Sequence, residues 1–285
     1  MSETTTALGL PPLTLGEGPV WDPQRAELSV VDIFGRAIYR LGNDSGNWRV
    51  RGKLETDGDV GAALPIGSGR FLTCESGGIF IVDEASREFV FSVPGGRDGQ
   101  RCNDAKIAPD GSLYVGVMDY EATEGAGSLW RVDRSGHSTQ LLDGLTIPNG
   151  LDWWGDEFWF VDGPTPRVSC YRWGSDGLTD TGHSITTSGV PDGLSIDQEG
   201  RIWLALWDEG RVDCLERTGE RVSSVSVAAP QSTSVAWCGS GLTTLAVTSA
   251  SYGYGDDEYA AHPQAGSVFF VEPGATGRLS SQLFG

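Results

Sequence analysis

Short apolar runs alternate with polar turns along this chain, and the alternation itself repeats. The stretches GEGPVWDPQRAELSVVDI around Glu17, NDAKIAPDGSLYVGVMD from Asn103, NGLDWWGDEFWFVDG from Asn149 and DGLSIDQEGRIWLALWD from Asp192 share one plan. Each has a polar start, a short apolar run, a turn rich in Asp, Gly or Pro, and a second apolar-aromatic run ending in or next to an acid. GAALPIGSGRFLTCE from Gly61 and STSVAWCGSGLTTLAVTS from Ser232 follow the same plan without a strong cation ligand at the start. The starts lie 40 to 46 residues apart, giving six copies in 285 residues. Paired strands at that period predict an all-β chain folded as a six-bladed β-propeller. One propeller domain is expected over 13–285, with residues 1–12 (MSETTTALGLPP) as a flexible N-terminal tail.

Composition narrows the reading. The 41 glycines and 10 tryptophans suit a turn-rich β fold, and no apolar run is long enough to span a bilayer as a helix. With 39 acidic against 20 basic residues the formal charge is −19, which repels phosphate backbones and anionic lipid. Nucleic acid and membranes are therefore not expected partners, and no heptad or charged tail points to an obligate protein partner. The first twelve residues lack the basic start and apolar core of a secretion signal, so a cytoplasmic location is expected. Five scattered cysteines read as reduced core thiols.

The candidate chemistry lies in the polar starts. A propeller places the first strand of each blade beside the central channel, so Glu17, Asn103, Asn149 and Asp192 converge on one mouth of it. Two carboxylates within ~4 Å repel by about 4 kcal/mol at an effective dielectric near 20, which demands a proton or a cation. Carboxylate and amide oxygens are hard donors. They suit Ca²⁺, Mg²⁺ or Mn²⁺ better than a thiolate metal, with Zn²⁺ held by carboxylates and water as a further candidate; Ca²⁺ is the expected ion. His137, His183 and His262 fall outside the repeat phase. The plainer alternative is that each polar start caps its own strand.

Arg101 stands two residues before Asn103 in an extended segment, so both project to one face. Its rigid fork suits a substrate carbonyl or hydroxyl, and a salt bridge to a neighbouring acid is the competing reading. A second ring, Asp32, Glu75, Asp119, Asp162, Asp208 and Ser249, ends the second strands at the same mouth and reads mostly as turn residues. Glu121 stands out because it follows the blade carrying Arg101 and Asn103. Trp207 and the loop from Ser251 to Gly255 could wall a polyhydroxylated ring. There is no G-x-S-x-G elbow, P-loop or G-x-G-x-x-G fingerprint, which leaves metal-assisted hydrolysis or plain binding.

The segments LGEGPVW (15–21), RCNDAKIAPDGSLYVGVMD (101–119), IPNGLDW (147–153), PDGLSIDQEGRIWLALW (191–207), TSA (248–250) and HPQAGSVFFVEP (262–273) resemble, in order, the family of senescence marker protein, gluconolactonase and luciferin-regenerating enzyme. The resemblance implies a metal-dependent hydrolase that opens a sugar (aldono-) lactone to the aldonic acid. It implies Glu17, Asn149 and Asp192 as metal ligands, with Asn103 joining them in some members and Asp192 doubling as the catalytic carboxylate. Arg101, Asn103 and Glu121 would contact substrate. Where the family reads Asn-Asp-Gly, this chain has Asn103-Asp104-Ala105, a methyl that bears on substrate size. Two alternatives remain at this stage: a phosphotriesterase or aryl esterase on the same scaffold, and a propeller that binds an ion or small ligand without catalysis.

Overall fold

In a computed structural model of the protein, the described residues are 4–94, 99–174 and 177–281. They form six four-stranded antiparallel sheets. The innermost strands are Gly16–Asp22, Val60–Pro65, Gln100–Ile107, Pro148–Trp154, Val190–Ile196 and Ser232–Cys238. Each begins within three residues of a repeat start, so the sequence period is the blade period. Neighbouring inner strands pack against one another around the ring, including the closing contact between the first blade and the sixth. The six-bladed propeller is therefore the fold.

Each blade buries apolar side chains against its neighbours. Trp203 on the fifth blade meets Trp237 on the sixth edge to face at 5.3 Å, and Trp48 on the first stacks on Phe270 of the sixth at 4.2 Å. All five cysteines are free and buried. Among the described residues no helix is long and apolar enough to cross a membrane; the one helix, Asp256–Ala261, is a short surface turn.

The tail expected over 1–12 is corrected, for the described residues from Thr5 to Leu10, by the ring closure. The sixth blade takes its outermost strand from the other end of the chain, Thr5–Thr6, whose partners are Phe270 and Phe269. Ala7 N–H donates to Val268 O at 3.2 Å, Leu8 N–H to Trp48 O at 2.7 Å, and Leu10 packs on the apolar core. Unpaired strand edges are costly, and an end-to-end pairing of this kind covers one. The sequence hid this because TTT followed by ALGL is too short to show a strand period.

The far end of the chain crosses the opposite face. Asp197 bridges Gly277, and Arg278 donates to Trp153 O at 2.5 Å and Ile196 O at 3.2 Å. Ser280 and Ser281 then border a void of about 30 Å³ inside the channel, shared with Asp104, Lys106 and Ser234.

Candidate active site at the channel mouth

One backbone device places the site. In every blade the pairing of first and second strands is interrupted at the same point: between Glu17 and Val20, Val60 and Ala62, Cys102 and Ala105, Pro148 and Leu151, Pro191 and Leu194, and Ser232 and Val235. A β-bulge frees one residue from the ladder and re-aims its side chain. Six bulges in phase thus turn the polar starts toward the axis. Close approach of the inner strands is part of the same device. A Cβ on Gly150 would lie 2.5 Å from Asp192 O, and one on Gly61 would lie 2.5 Å from Asn103 O.

The structure brings together Glu17, Arg101, Asn103, Asn149 and Asp192, all of them between 5% and 7% exposed. Asn149 donates its Nδ2 to Asp192 Oδ1, while its own Oδ1 is buried with no partner among the described atoms. Asn103 donates to Pro148 O at 2.9 Å and accepts from Arg101 Nη1 at 2.8 Å, so each end of its amide has one partner and keeps one further donor or acceptor position. Arg101 Nη1 also reaches Cys102 O at 3.1 Å, and its buried Nε has no partner. The guanidinium lies 5.5 Å from the Phe34 ring and 6.0 Å from the Tyr120 ring, within cation–π reach of both.

Electrostatics show what the cluster lacks. Burial, and secondarily the Asp104 charge, pushes the Glu17 carboxyl up to about 8, with the Gly18 N–H and Arg101 pulling the other way. Asp192 is driven well above the usual carboxylate range by desolvation, then by Glu17 and Asp104, against the opposing Asn149 hydrogen bond. Asp104, half-buried below them, is raised to about 6 by desolvation, with Lys106 opposing. Three acids around one channel with a single nearby guanidinium leave a deficit of positive charge that a divalent cation would fill. Among the described residues no three His, Cys, Asp or Glu side chains gather as a cation cluster, so any ion here relies on amide oxygens beside two carboxylates. The orphaned Asn149 Oδ1 is such an oxygen, and the residues present therefore fit a hard divalent ion.

Above this polar floor opens a cavity of about 300 Å³, a size suited to a small molecule. Trp207 and Tyr252 line it, with Leu15, Phe34 and Ile147. The second-strand acids act as staples for its walls, as their turn character suggests. Asp32 accepts from Thr14 and Leu15 N–H, and Asp162 accepts from Thr146 and Ile147 N–H. Glu121 stands apart from the cluster: Tyr120 and Ala122 line the cavity, whereas Glu121 is exposed beside it. Sequence reasoning passed over two polar residues. Asp104, next to Asn103, adds charge to the channel. Thr233, at the bulge of the sixth blade, donates to Gly16 O at 2.5 Å and so ties that blade to the first. The polar starts of both were visible, but a neighbour's orientation at a bulge is not encoded in strand alternation.

The family described as SMP-30/gluconolactonase/LRE-like matches residues 15–251, a span that contains every residue of this cluster. The chain belongs to this family. Similar members include regucalcin of Gallus gallus, 31% identical over 273 residues with 90% of each chain covered. A pentonolactonase of Haloferax volcanii is 31% identical over 280 residues, covering 93% of this chain and 92% of that one. Among solved structures, a calcium-binding protein, regucalcin, from Agrobacterium tumefaciens superposes with a TM-score of 0.87 at 29% identity, covering 98% of this chain and 96% of that one. This SMP-30/gluconolactonase-like chain therefore shares its fold and most of its length with proteins named for lactone hydrolysis or for calcium.

Proposed function

We propose that the protein hydrolyses a sugar lactone to the aldonate, with one divalent cation, Ca²⁺ by preference, held by Glu17, Asn149 and Asp192. The observation that carries this reading is the buried pair of carboxylates beside the unpartnered Asn149 Oδ1 on the floor of a small-molecule cavity. Relatives named pentonolactonase and 6-deoxy-6-sulfogluconolactonase support the reaction class. The bound ion would supply a Lewis acid for the carbonyl oxygen and keep both carboxylates ionised.

The side chains perform the rest. Asp192 spends Oδ1 on Asn149 and keeps Oδ2 to orient a water and take its proton. The water oxygen bonds to the lactone carbonyl carbon, the ring C–O bond breaks, and the proton passes to the departing ring oxygen. The Arg101 guanidinium, which lines the cavity, would hold the substrate oxygens in line for attack. Asn103 fixes that guanidinium through its Oδ1 and, as an amide at the floor, stands where a second ion ligand or a substrate hydroxyl contact is needed. Glu121, exposed near the mouth, reaches substrate only if the 120–126 turn draws inward.

The test is a pH-indicator screen of D-glucono-1,5-lactone, D-xylono-1,4-lactone, a homoserine lactone and paraoxon, using chelated protein reloaded with single metals. Acid release from the sugar lactones, lost on chelation and restored by Ca²⁺, is expected. Turnover of paraoxon alone, or of no compound under any metal, would overturn the reading.

A further inference from the structure

The walls of the cavity differ in kind from its floor. The exposure gradient gives the direction of entry: the floor residues are almost fully covered, whereas Tyr120, Val190 and Tyr252 are 43%, 45% and 51% exposed and mark the mouth. A lactone that brings its carbonyl to the floor must point its far carbons through the zone between. That zone is a collar of the half-buried Leu15, Phe34, Ile147 and Trp207, while Met118, paired with Arg101 on the neighbouring strand, is buried at the level of the floor.

The backbone groups of Leu15 and Ile147 do not relieve the apolarity. Leu15 N–H is taken by Asp32 at 3.0 Å and its carbonyl by Ile33 N–H at 3.0 Å. Ile147 N–H is taken by Asp162 at 2.8 Å, and its carbonyl accepts from Gly163 N–H at 2.9 Å. The Tyr120 hydroxyl donates to Asp59 at 2.7 Å. Trp207 and Tyr252 add aromatic rings with one polar tip each. A hydroxyl carried into this collar gives up water and finds few partners, which costs binding in the transition state as well as in the ground state.

Resting on the lactonase reading above, we propose that the site selects deoxy lactones, hydroxylated next to the carbonyl, where Arg101 and Asn103 lie, and bare at the distal carbon, where the collar lies. Leu15 and Ile147 are the specificity-determining residues.

The experiment compares kcat/KM of the Ca²⁺-loaded protein on two matched pairs that differ only in the terminal hydroxyl. These are L-rhamnono-1,4-lactone against L-mannono-1,4-lactone, and L-fucono-1,4-lactone against L-galactono-1,4-lactone, with D-glucono-1,5-lactone as reference. The deoxy member of each pair should be favoured by roughly 10- to 100-fold, the range in which an apolar pocket discriminates against an added hydroxyl. Ile147→Thr, and separately Leu15→Gln, should shrink that ratio toward unity. Equal or inverted ratios, or turnover of gluconolactone with neither deoxy lactone opened, would overturn the selectivity while leaving the lactonase reading intact. Failure to open any lactone would overturn both.

Discussion

Asn149 donates its side-chain amide to Asp192 across the seam between the fourth and fifth blades, and this bond turns the Asn149 oxygen into the cluster with nothing to accept. The pair therefore acts as a unit: the amide orients the carboxylate, and the carboxylate presents the amide oxygen. Asp192→Asn keeps the shape and removes the charge, so lactone turnover should fall by roughly 10²- to 10³-fold or more. Asn149→Ala should weaken Ca²⁺ binding, measured by isothermal titration calorimetry, by about 10-fold or more, through loss of an oxygen and of the carboxylate's orientation. Normal ion affinity in the Asn149 variant would remove that residue from the ligand set.

The raised acids set a pH signature for the ion-free protein. Glu17, with an ordinary value of 4.5, holds its proton up to about 8 in the fold, and Asp192 is shifted in the same direction. Between the unfolded and folded values the native state binds more protons than the unfolded chain, so stability is fully present below pH 4.5 and is lost as pH rises toward 8. With EDTA, the urea midpoint should drop from pH 5 to pH 8 by an amount corresponding to on the order of a few kcal/mol. Saturating Ca²⁺ should flatten that slope, because the ion replaces the protons. Equal midpoints at both pH values in EDTA would show that the two carboxyls are not displaced in the way described.

The blade count and the residues of the floor were legible in the sequence because period and phase are one-dimensional properties. Glu17, Asn103, Asn149 and Asp192 recur at one phase, and a propeller converts equal phase into a common axis. Arg101 was legible for a similar reason, since a spacing of two in a strand means one face. What the letters did not carry was anything decided by contacts remote in sequence. Thr5–Thr6 joins the sixth blade because Phe269–Val271 presents an open edge there, more than 260 residues away. Asp104 gains its channel position from a bulge that breaks the alternation by which it would otherwise face away. Glu121 was implied as a substrate contact only by the resemblance, and the turn after Asp119, pinned by Thr123 N–H at 2.8 Å, leaves it at the surface.

Arg101 offers a separation of binding from ion chemistry. Its charge is buried and its pKa is lowered by desolvation, with Tyr120, Asp59 and Glu17 opposing. Lysine at this position would keep a charge but lose the fork that Asn103 Oδ1 and Cys102 O hold. Arg101→Lys should lower kcat/KM for the preferred lactone by roughly 10- to 100-fold, as expected for charge-assisted hydrogen bonds of about 1.5–3 kcal/mol. Ca²⁺ affinity should stay within a few-fold of the wild type. Steady-state kinetics beside calorimetry read the two effects separately, and an equal loss in both would place Arg101 in the support of the ion instead.

Removal of residues 1–9 tests how much the shared sixth blade contributes. The deletion takes away the Thr5–Thr6 pairing, the Ala7 and Leu8 backbone bonds and the bond from Val50 N–H to Leu8 O at 3.2 Å. It also leaves Phe269–Val271 as an exposed apolar edge. At about 1 kcal/mol for each net hydrogen bond, the loss should be about 2–4 kcal/mol, and Tm should fall by several degrees. The bare edge should also promote self-association, visible as larger species in light scattering. Ring opening at this seam should reach the site, because the inner strand of the same blade holds Gly16 through Thr233, and Gly16 precedes Glu17. Ca²⁺ affinity should therefore fall along with Tm. A truncated protein with unchanged melting and no association would mean that the inner-strand contacts alone close the ring.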